Sequence, residues 1–197
     1  MSKTQQYKEN YERNRFQNQF SDMESYLRSL ELELTVESVD DYTITRMAQM
    51  TQKTNQFNLT TRRYTEMDLR NFESAGGKIW GLRVKDRFGD NGLTGLIMVA
   101  MKEDKMVVID SFLLSCRVLG KNIEDVFIRY VLNKLKEAGI KKVQALFLKT
   151  IKNIQVQEFY DQVGFQLGQT SDERKEYIAD LDKLDLKISD IYKIVEK

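Results

Sequence analysis

The apolar positions of this chain recur with two periods, which predict both strands and helices. Between residues 31 and 39, acidic and apolar residues alternate, as they do in a strand with one face in water. Between residues 123 and 138, apolar residues return every three or four positions, which is typical of a helix with one buried face. Glycine-containing turns at residues 76–77 and 89–92 separate the apolar runs between them and indicate a meander of antiparallel strands.

The elements follow one another in a mixed order. The predicted helices span residues 21–30, 40–52, 65–72, 123–138, 153–163 and 188–195. The predicted strands span residues 31–39, 79–85, 93–101, 106–115, 143–148, 165–167 and 176–181. We therefore expect an α/β (α+β) fold with a mixed, mostly antiparallel central sheet of about seven strands, flanked by helices. Residues 1–30 are expected to form a helical extension or connector, partly frayed over residues 1–20, and residues 31–197 the main domain.

Local signals place some helix ends. Ser21 and Glu24 have the spacing of a capping box. Asn122 is expected to cap the helix at residues 123–138, and Gly139 to end it.

The turn before that helix carries the first candidate site. An apolar strand runs into Arg117-x-x-Gly120-x-Asn122, and the helix follows at once. Main-chain N–H groups at such a turn and at a helix start have no partner inside the helix, so they can hold a phosphate or pyrophosphate. An ordinary capped helix with a surface arginine explains the same residues.

Two segments together resemble the acyl-CoA-binding half of GCN5-related N-acetyltransferases (GNAT). The loop of that family is Arg/Gln-x-x-Gly-x-Gly/Ala, which Arg117 and Gly120 match and Asn122 does not. The resemblance continues through a later family helix, matched here by Asn153, Tyr160, Gly164 and Phe165 with Val156 in place of alanine. It covers about residues 31–181 and implies a GNAT-like domain with a gap between two parted strands beside the loop.

Three longer runs, at residues 51–64, 86–92 and 115–120, resemble the C-terminal half of FkbH-type proteins. That family joins a haloacid dehalogenase (HAD)-type phosphatase domain to a GNAT-like domain. It loads a glyceryl unit from 1,3-bisphosphoglycerate onto an acyl carrier protein, leading to hydroxy- or methoxymalonyl extender units for polyketides. The nucleophile motif of the HAD half is missing from this sequence. The resemblance therefore implies an acyl carrier protein as partner, and a separate HAD-type phosphatase domain or protein as a second one.

Composition narrows the chemistry. With 31 basic and 30 acidic residues, the chain shows no general attraction to nucleic acid or to anionic membrane. The sequence has no histidine, which excludes Ser–His and Cys–His catalysis and histidine-bound metal within it, and no metal is expected. A single cysteine excludes an intrachain disulfide and suits a reducing, cytoplasmic location. No apolar run approaches the roughly 20 residues that span a bilayer.

The cofactor prediction is coenzyme A or a carrier-protein phosphopantetheine arm. The resemblance implies a cofactor-binding set of Arg117, Val118, Leu119, Gly120, Lys121, Asn122 and Asn153. Asn153 is placed there to bind the pantetheine amides, from the same helix as Tyr160.

Three residues are catalytic candidates. Cys116 precedes the loop and suits a nucleophile that carries an acyl group as a thioester, although lone cysteines usually just pack. Tyr160 stands where many GNAT enzymes protonate the leaving thiolate, or else it packs in the core beside Phe159. Asp110 lies mid-strand in an apolar run, so it needs a partner, such as an arginine at 62 or 63, or faces the site as a base.

A polar, cationic loop between the second and third predicted helices is the substrate candidate. Two adjacent arginines with amide and hydroxyl neighbours suit a glycerate oxygen or a phosphate, while a solvated loop is the simpler interpretation. The residues are Asn55, Asn58, Thr61, Arg62 and Arg63.

Three functions remain open at the level of sequence. The first is glyceryl transfer to an acyl carrier protein. The second is acetyl-CoA-dependent N-acetylation of a small amine, and the third is a non-catalytic module that docks a carrier protein.

Overall fold

A computed structural model describes residues 12, 16, 17 and 19–197. The helices whose two ends lie in this part of the chain are α1 (Met23–Ser29), α2 (Ile44–Lys53), α3 (Glu66–Ser74), α4 (Ile123–Glu137) and α5 (Phe159–Val163). The strands are β1 (Glu33–Ser38), β2 (Phe57–Asn58), β3 (Lys78–Asp86), β4 (Gly89–Met101), β5 (Met106–Leu114), β6 (Lys142–Leu148), β7 (Gln166–Thr170), β8 (Arg174–Asp180) and β9 (Lys193–Glu196). Short 3-10 helices cover Cys116–Val118 and Ile154–Val156.

One sheet holds all of these strands, in the order β7-β8-β6-β5-β4-β3-β1-β9, with β2 paired to β5. The pairs β5–β6 and β1–β9 are parallel and the others antiparallel. The predicted mixed, mostly antiparallel sheet flanked by helices is therefore confirmed. Its nine described strands exceed the predicted seven because β2 and β9 were not anticipated.

Helices cover both faces of this sheet. Alternate residues of β4 show the division, since Ile97 and Val99 pack with α4 in the larger core, whereas Leu96 and Met98 pack with α2 and α3 in the smaller one. The period of two in the strands and the apolar stripe of each helix produce these two layers directly.

The first described residues pack on the same core as the rest of the chain. Tyr26 and Leu27 of α1 are buried in the larger core. The rings of Phe16 and Phe88 meet edge to face, with centroids 5.3 Å apart. Most of the extension predicted over residues 1–20 lies outside the described residues.

Two predicted helices are wrong. The segment predicted as a helix at 188–195 contains instead β9, whose residues pair in parallel with β1 from Glu33↔Lys193 to Val36↔Glu196. The helix predicted over 153–163 is divided into the short 3-10 helix and α5, because Glu158 between them is non-helical (φ −101°, ψ 9°).

Helix starts also differ in detail from the prediction. Asp22, not Ser21, caps α1, and its Oδ1 accepts from the amide of Ser25 at 2.8 Å. Asn122 occupies the N-cap position of α4 with φ 52°, and its side chain makes no capping bond. Gly139 follows α4 with φ 83°, in agreement with the expected left-handed end.

Candidate functional site

The parallel strands β5 and β6 part at the centre of the sheet. Their pairing runs from Met106↔Lys142 to Ile109↔Ala145 and stops there, although both strands continue. The expected parting of two strands beside the loop is therefore present in the structure.

The chain itself bridges this gap. Phe57 and Asn58 of β2 pair with the end of β5, and the amide of Leu59 donates to the carbonyl of Phe112 at 3.0 Å. On the other side, the amide of Leu148 donates to the carbonyl of Leu59 at 2.8 Å. The main-chain groups at the parted edges are thus already used at these positions. An extended ligand has no free strand edge to pair with there.

The loop after β5 keeps its main-chain donors free. Within the described chain, the amides of Gly120, Asn122 and Ile123 donate no hydrogen bond, whereas that of Val118 donates to the carbonyl of Ser115 at 3.2 Å. Gly120 (φ 78°) and Asn122 (φ 52°) both adopt left-handed conformations, which turn the chain sharply into α4. The loop can therefore bind an oxyanion through its backbone.

Most side chains of this loop point away from such a ligand. Val118 is buried in the core. The Nζ atom of Lys121 lies 3.2 Å from Oδ2 of Asp86, and both side chains are buried. The guanidinium of Arg117 donates from Nε to Oγ of Ser115 at 3.2 Å and lines a cavity on the side of α2.

Cys116 lies in the wall between two openings. It is exposed, and with Gln56 it lines one cavity of about 670 Å³ and another of about 420 Å³. The larger also contains Arg46 and Lys152, and the smaller Leu119 and Glu124. A thiol in this position can be reached from both sides of the loop. Neither Gln56 nor Arg46 was singled out from the sequence: Arg46 lies outside the runs that carry the resemblances, and Gln56 lies within the run 51–64 without a role of its own.

Glu124 brings a carboxyl group to the first turn of α4. Its Oε2 atom is buried and has no hydrogen-bond partner among the described residues. Burial raises the pKa of this carboxyl, and the neighbouring charge of Asp125 adds to the effect. A second negative group beside it is disfavoured when Glu124 is ionised, so the smaller cavity suits an uncharged arm better than a pyrophosphate.

Asn153 and Tyr160 are directed into the protein. The buried Asn153 side chain donates from Nδ2 to the carbonyls of Asn58 (2.8 Å) and Leu148 (2.9 Å), so its donors are already used by the chain. The Tyr160 ring is 1% exposed and packs against Phe165, and its hydroxyl has no partner within the described chain. Burial raises the Tyr160 pKa far above its ordinary value. These surroundings fit the packing interpretation of Tyr160, and neither residue lines the two cavities that contain Cys116.

Asp110 has the arginine partner that its place in the strand required. Its carboxylate accepts hydrogen bonds from Nη1 of Arg62, from the Tyr64 hydroxyl and from Oγ of Ser111, the last at 3.1 Å. Burial, and then the Asp110 carboxylate, raise the pKa of Tyr64. Asp110 and Arg62 line a third cavity, of about 540 Å³, over β6 and β8.

The rest of the polar loop mainly holds itself in place. Arg63 donates from Nη1 to the carbonyl of Thr54 at 3.0 Å and from Nη2 to the side chain of Asn55. Asn58 is buried and accepts from the amide of Thr61 at 2.8 Å. Of the predicted substrate residues, Asn55 lines the larger Cys116 cavity and Arg62 the Asp110 cavity. The structure therefore places them at two separate openings.

Solved structures identify the fold. The chain is similar to a GNAT-family acetyltransferase from Staphylococcus aureus (TM-score 0.56, 15% identity, 75% of this chain and 99% of that one). It is also similar to the PaiA N-acetyltransferase of Thermoplasma acidophilum in complex with coenzyme A (TM-score 0.59, 12% identity, 75% and 98%). A third is the spermidine N-acetyltransferase of Vibrio cholerae in complex with CoA and spermine (TM-score 0.57, 12% identity, 76% and 96%). The fold is that of the GCN5-related N-acetyltransferases, as the loop motif predicted.

Comparisons by sequence find no related family or protein. A scan against protein-family models and a search of curated proteins gave no match. In the described part of the chain, no helix is long and apolar enough to cross a bilayer, and no group of three or more His, Cys, Asp or Glu side chains is arranged to hold a metal.

Proposed function

We propose that this domain is an acyltransferase in which Cys116 takes up an acyl group as a thioester and passes it to the thiol of a phosphopantetheine arm. The observation that carries this proposal is the position of the exposed Cys116 between two cavities, next to a loop with unbonded amides. The resemblance to FkbH-type proteins supplies the substrates, a glyceryl group from 1,3-bisphosphoglycerate and an acyl carrier protein.

The reaction consists of two acyl-transfer steps at the same carbonyl carbon. The thiolate of Cys116 attacks C1 of the acyl phosphate, a C–S bond forms, and phosphate leaves with the electrons of the broken C–O bond. The pantetheine thiolate then attacks the thioester, and the sulfur of Cys116 leaves as a thiolate. A thiol relay suits this structure because β2 already bridges the parted strands, so donor and acceptor do not meet across them.

Removal of the phosphate ester from the transferred unit needs a phosphatase domain or protein. No histidine is present, and the sequence lacks the HAD nucleophile motif. A HAD-type phosphatase is therefore the second partner that this proposal requires, and the carrier protein is the first.

The decisive experiment follows the thiol by mass. We expect wild-type protein incubated with 1,3-bisphosphoglycerate to gain the mass of one acyl unit, and holo carrier protein to remove it. Cys116→Ser should gain none, while Met67→Leu, a change at an exposed side chain of α3 that lines none of these cavities, should behave as wild type. An unmodified wild-type chain that also fails to charge the carrier protein would rule the relay out.

A second candidate is N-acetylation, which the fold neighbours favour because several are N-acetyltransferases. In that case acetyl-CoA should protect the domain against heat, and Cys116→Ser should retain full activity towards an amine. A docking module without catalysis would bind holo carrier protein and charge none of it.

A further inference from the structure

A cavity of about 670 Å³ beside Cys116 is lined by three arginines from three different elements. Arg46 comes from α2, Arg83 from β3 and Arg117 from the loop after β5. It lies on the α2 side of the sheet, away from the opening lined by Leu119 and Glu124. No sequence motif indicates this cavity, because the three arginines are far apart along the chain.

These guanidinium groups are poorly neutralised. Among the described residues, Arg46 and Arg117 form no ion pair, and Arg83 lies 3.2 Å from the carboxylate of Glu37. Asp90 is the one carboxylate in the lining, and its Oδ1 accepts from the amide of Gly92 at 2.6 Å. Elsewhere in the described chain, a carboxylate partner is usual for arginine, as it is for Arg28, Arg62, Arg70, Arg129 and Arg174.

The positive charges that line this cavity repel one another. Burial lowers the pKa of Arg117, and the positive charge of Arg46 lowers it further, while the Asp90 carboxylate acts in the opposite direction without cancelling the shift. Holding two such groups together costs free energy that an anion between them would recover. A site that keeps this arrangement is therefore suited to a negatively charged ligand.

Asn91 provides an independent observation. Its side chain lines the same cavity and is 7% exposed, and its Nδ2 has no acceptor within the described chain. A buried amide without a partner is costly, so such groups usually have one. The three guanidinium groups offer only donors, and Nδ2 of Asn91 offers another, so the oxygens of a phosphate dianion can accept from all four.

The cavity adjoins the thiol. Arg117 follows Cys116 directly, and Arg46 lines both this cavity and the larger of the two that contain Cys116. A small molecule seated at Arg46 can therefore reach from this cavity into the one that contains the thiol.

We propose that Arg46, Arg83, Arg117 and Asn91 bind a phosphate group of the acyl donor, remote from the carbonyl that Cys116 attacks. The donor is thus a phosphorylated acyl compound, and its phosphate anchors it for transfer. The identity of the donor rests on the proposed thiol relay, whereas the anion site itself does not.

Binding measurements on the full chain test the anion site. By calorimetry, 3-phosphoglycerate and inorganic phosphate should bind and glycerate should not. Arg46→Gln should weaken 3-phosphoglycerate binding at least about tenfold, through loss of a charge-assisted contact. The matched control is Arg28→Gln, which removes an exposed arginine that does not line the cavity and should bind as wild type. Arg46→Lys, which keeps the charge, should fall between them.

A second readout locates the ligand. We expect 3-phosphoglycerate to slow alkylation of Cys116 by iodoacetamide, and glycerate at the same concentration to leave the rate unchanged. Replacing 3-phosphoglycerate by coenzyme A or its 3′-dephospho form separates the two sources of phosphate, because a site for the carrier arm would favour coenzyme A. Preferential, Arg46-dependent binding of coenzyme A would overturn the assignment to the donor.

The outcomes distinguish this inference from the proposed function. Equal affinity of wild type and Arg46→Gln for 3-phosphoglycerate, or no binding to either, overturns the anion site even if Cys116 carries an acyl group. Binding that persists in Cys116→Ser supports the site, and does so even where wild type forms no thioester. Circular dichroism of each variant establishes that it is folded, and Arg117→Gln repeats the test from another element.

Discussion

At the scale of single residues, the candidate site contains buried polar atoms that have no hydrogen-bond partner among the described residues. Glu124 leaves a buried carboxylate oxygen unbonded at the start of α4, and Asn91 leaves a buried amide nitrogen unbonded beside the arginines. Such groups cost stability, and natural proteins tend to keep them where a ligand or a reaction uses them. Sequence pattern identified Cys116 and Arg117 through their place before a helix. It could not identify Arg46 or Asn91, whose role depends on what the fold brings beside them.

Glu124 gives the first prediction. Because burial raises its pKa in the folded protein, Glu124 favours folding below the pKa of the unfolded chain and loses that advantage as pH rises through the folded value. Glu124→Gln should therefore stabilise the protein at pH 7, by about 1 kcal/mol. Urea unfolding at pH 7 and near pH 4 measures the effect, and the gain should shrink at the lower pH.

Glu66→Gln is the control for that measurement, since Glu66 lies exposed in the first turn of α3. It should change the free energy of unfolding little at either pH. If Glu124→Gln raised the free energy of unfolding equally at both pH values, ionisation of the Glu124 carboxyl would not be what destabilises the folded protein.

At the scale of elements, period and turn residues predicted most of the sheet. Strands β3 to β6 and helix α4 lie within a few residues of their predicted positions, because each buries a regular apolar face. The two-residue β2 shows no period and forms because the parted edges of β5 and β6 need partners. Apolar residues at 188, 191 and 194 imitate a helix, yet the open edge of β1 recruits residues 193–196 as a strand.

The bridge across the parted strands gives the second prediction. Asn153→Ala removes two donors to the carbonyls of Asn58 and Leu148, and the acceptor for the amide of Thr150 at 2.7 Å. Leaving these buried groups without partners should cost about 2–4 kcal/mol of unfolding free energy. Urea denaturation checks this.

Asn71→Ala, at an exposed position in α3, is the matched control for Asn153→Ala and should be neutral or slightly stabilising. An Asn153→Ala protein as stable as the control would mean that the side chain is free for a ligand, as the family resemblance implied.

At the scale of the whole molecule, distant parts of the chain support the loop beside Cys116. The hydroxyl of Tyr192, next to β9, donates to the carbonyl of Lys121 at 2.8 Å. The Nζ atom of Lys121 in turn meets Asp86 at the end of β3. The segment before β9, the end of β3 and the start of α4 are thus joined next to the candidate site.

Tyr192→Phe tests this connection. Burial, and then Glu124 and Asp125, raise the pKa of Tyr192 to about 12, so its hydroxyl remains a donor at neutral pH. Its loss should cost about 1 kcal/mol of unfolding free energy. Tyr42→Phe, at a side chain that is 93% exposed, should cost nothing measurable. Equal stability of the two variants would show that the hydrogen bond from Tyr192 to Lys121 does not stabilise the protein.

The parallel pairing of β1 with β9 has a consequence for biosynthesis. Val36 and Glu196 are partners in the sheet, so β1 leaves the ribosome long before the strand that covers its outer edge exists. During that interval its backbone donors and acceptors are open to pairing with another nascent chain. The acidic residues Glu33 and Glu37 within β1 are then a safeguard, because like charges discourage two copies of one edge from joining.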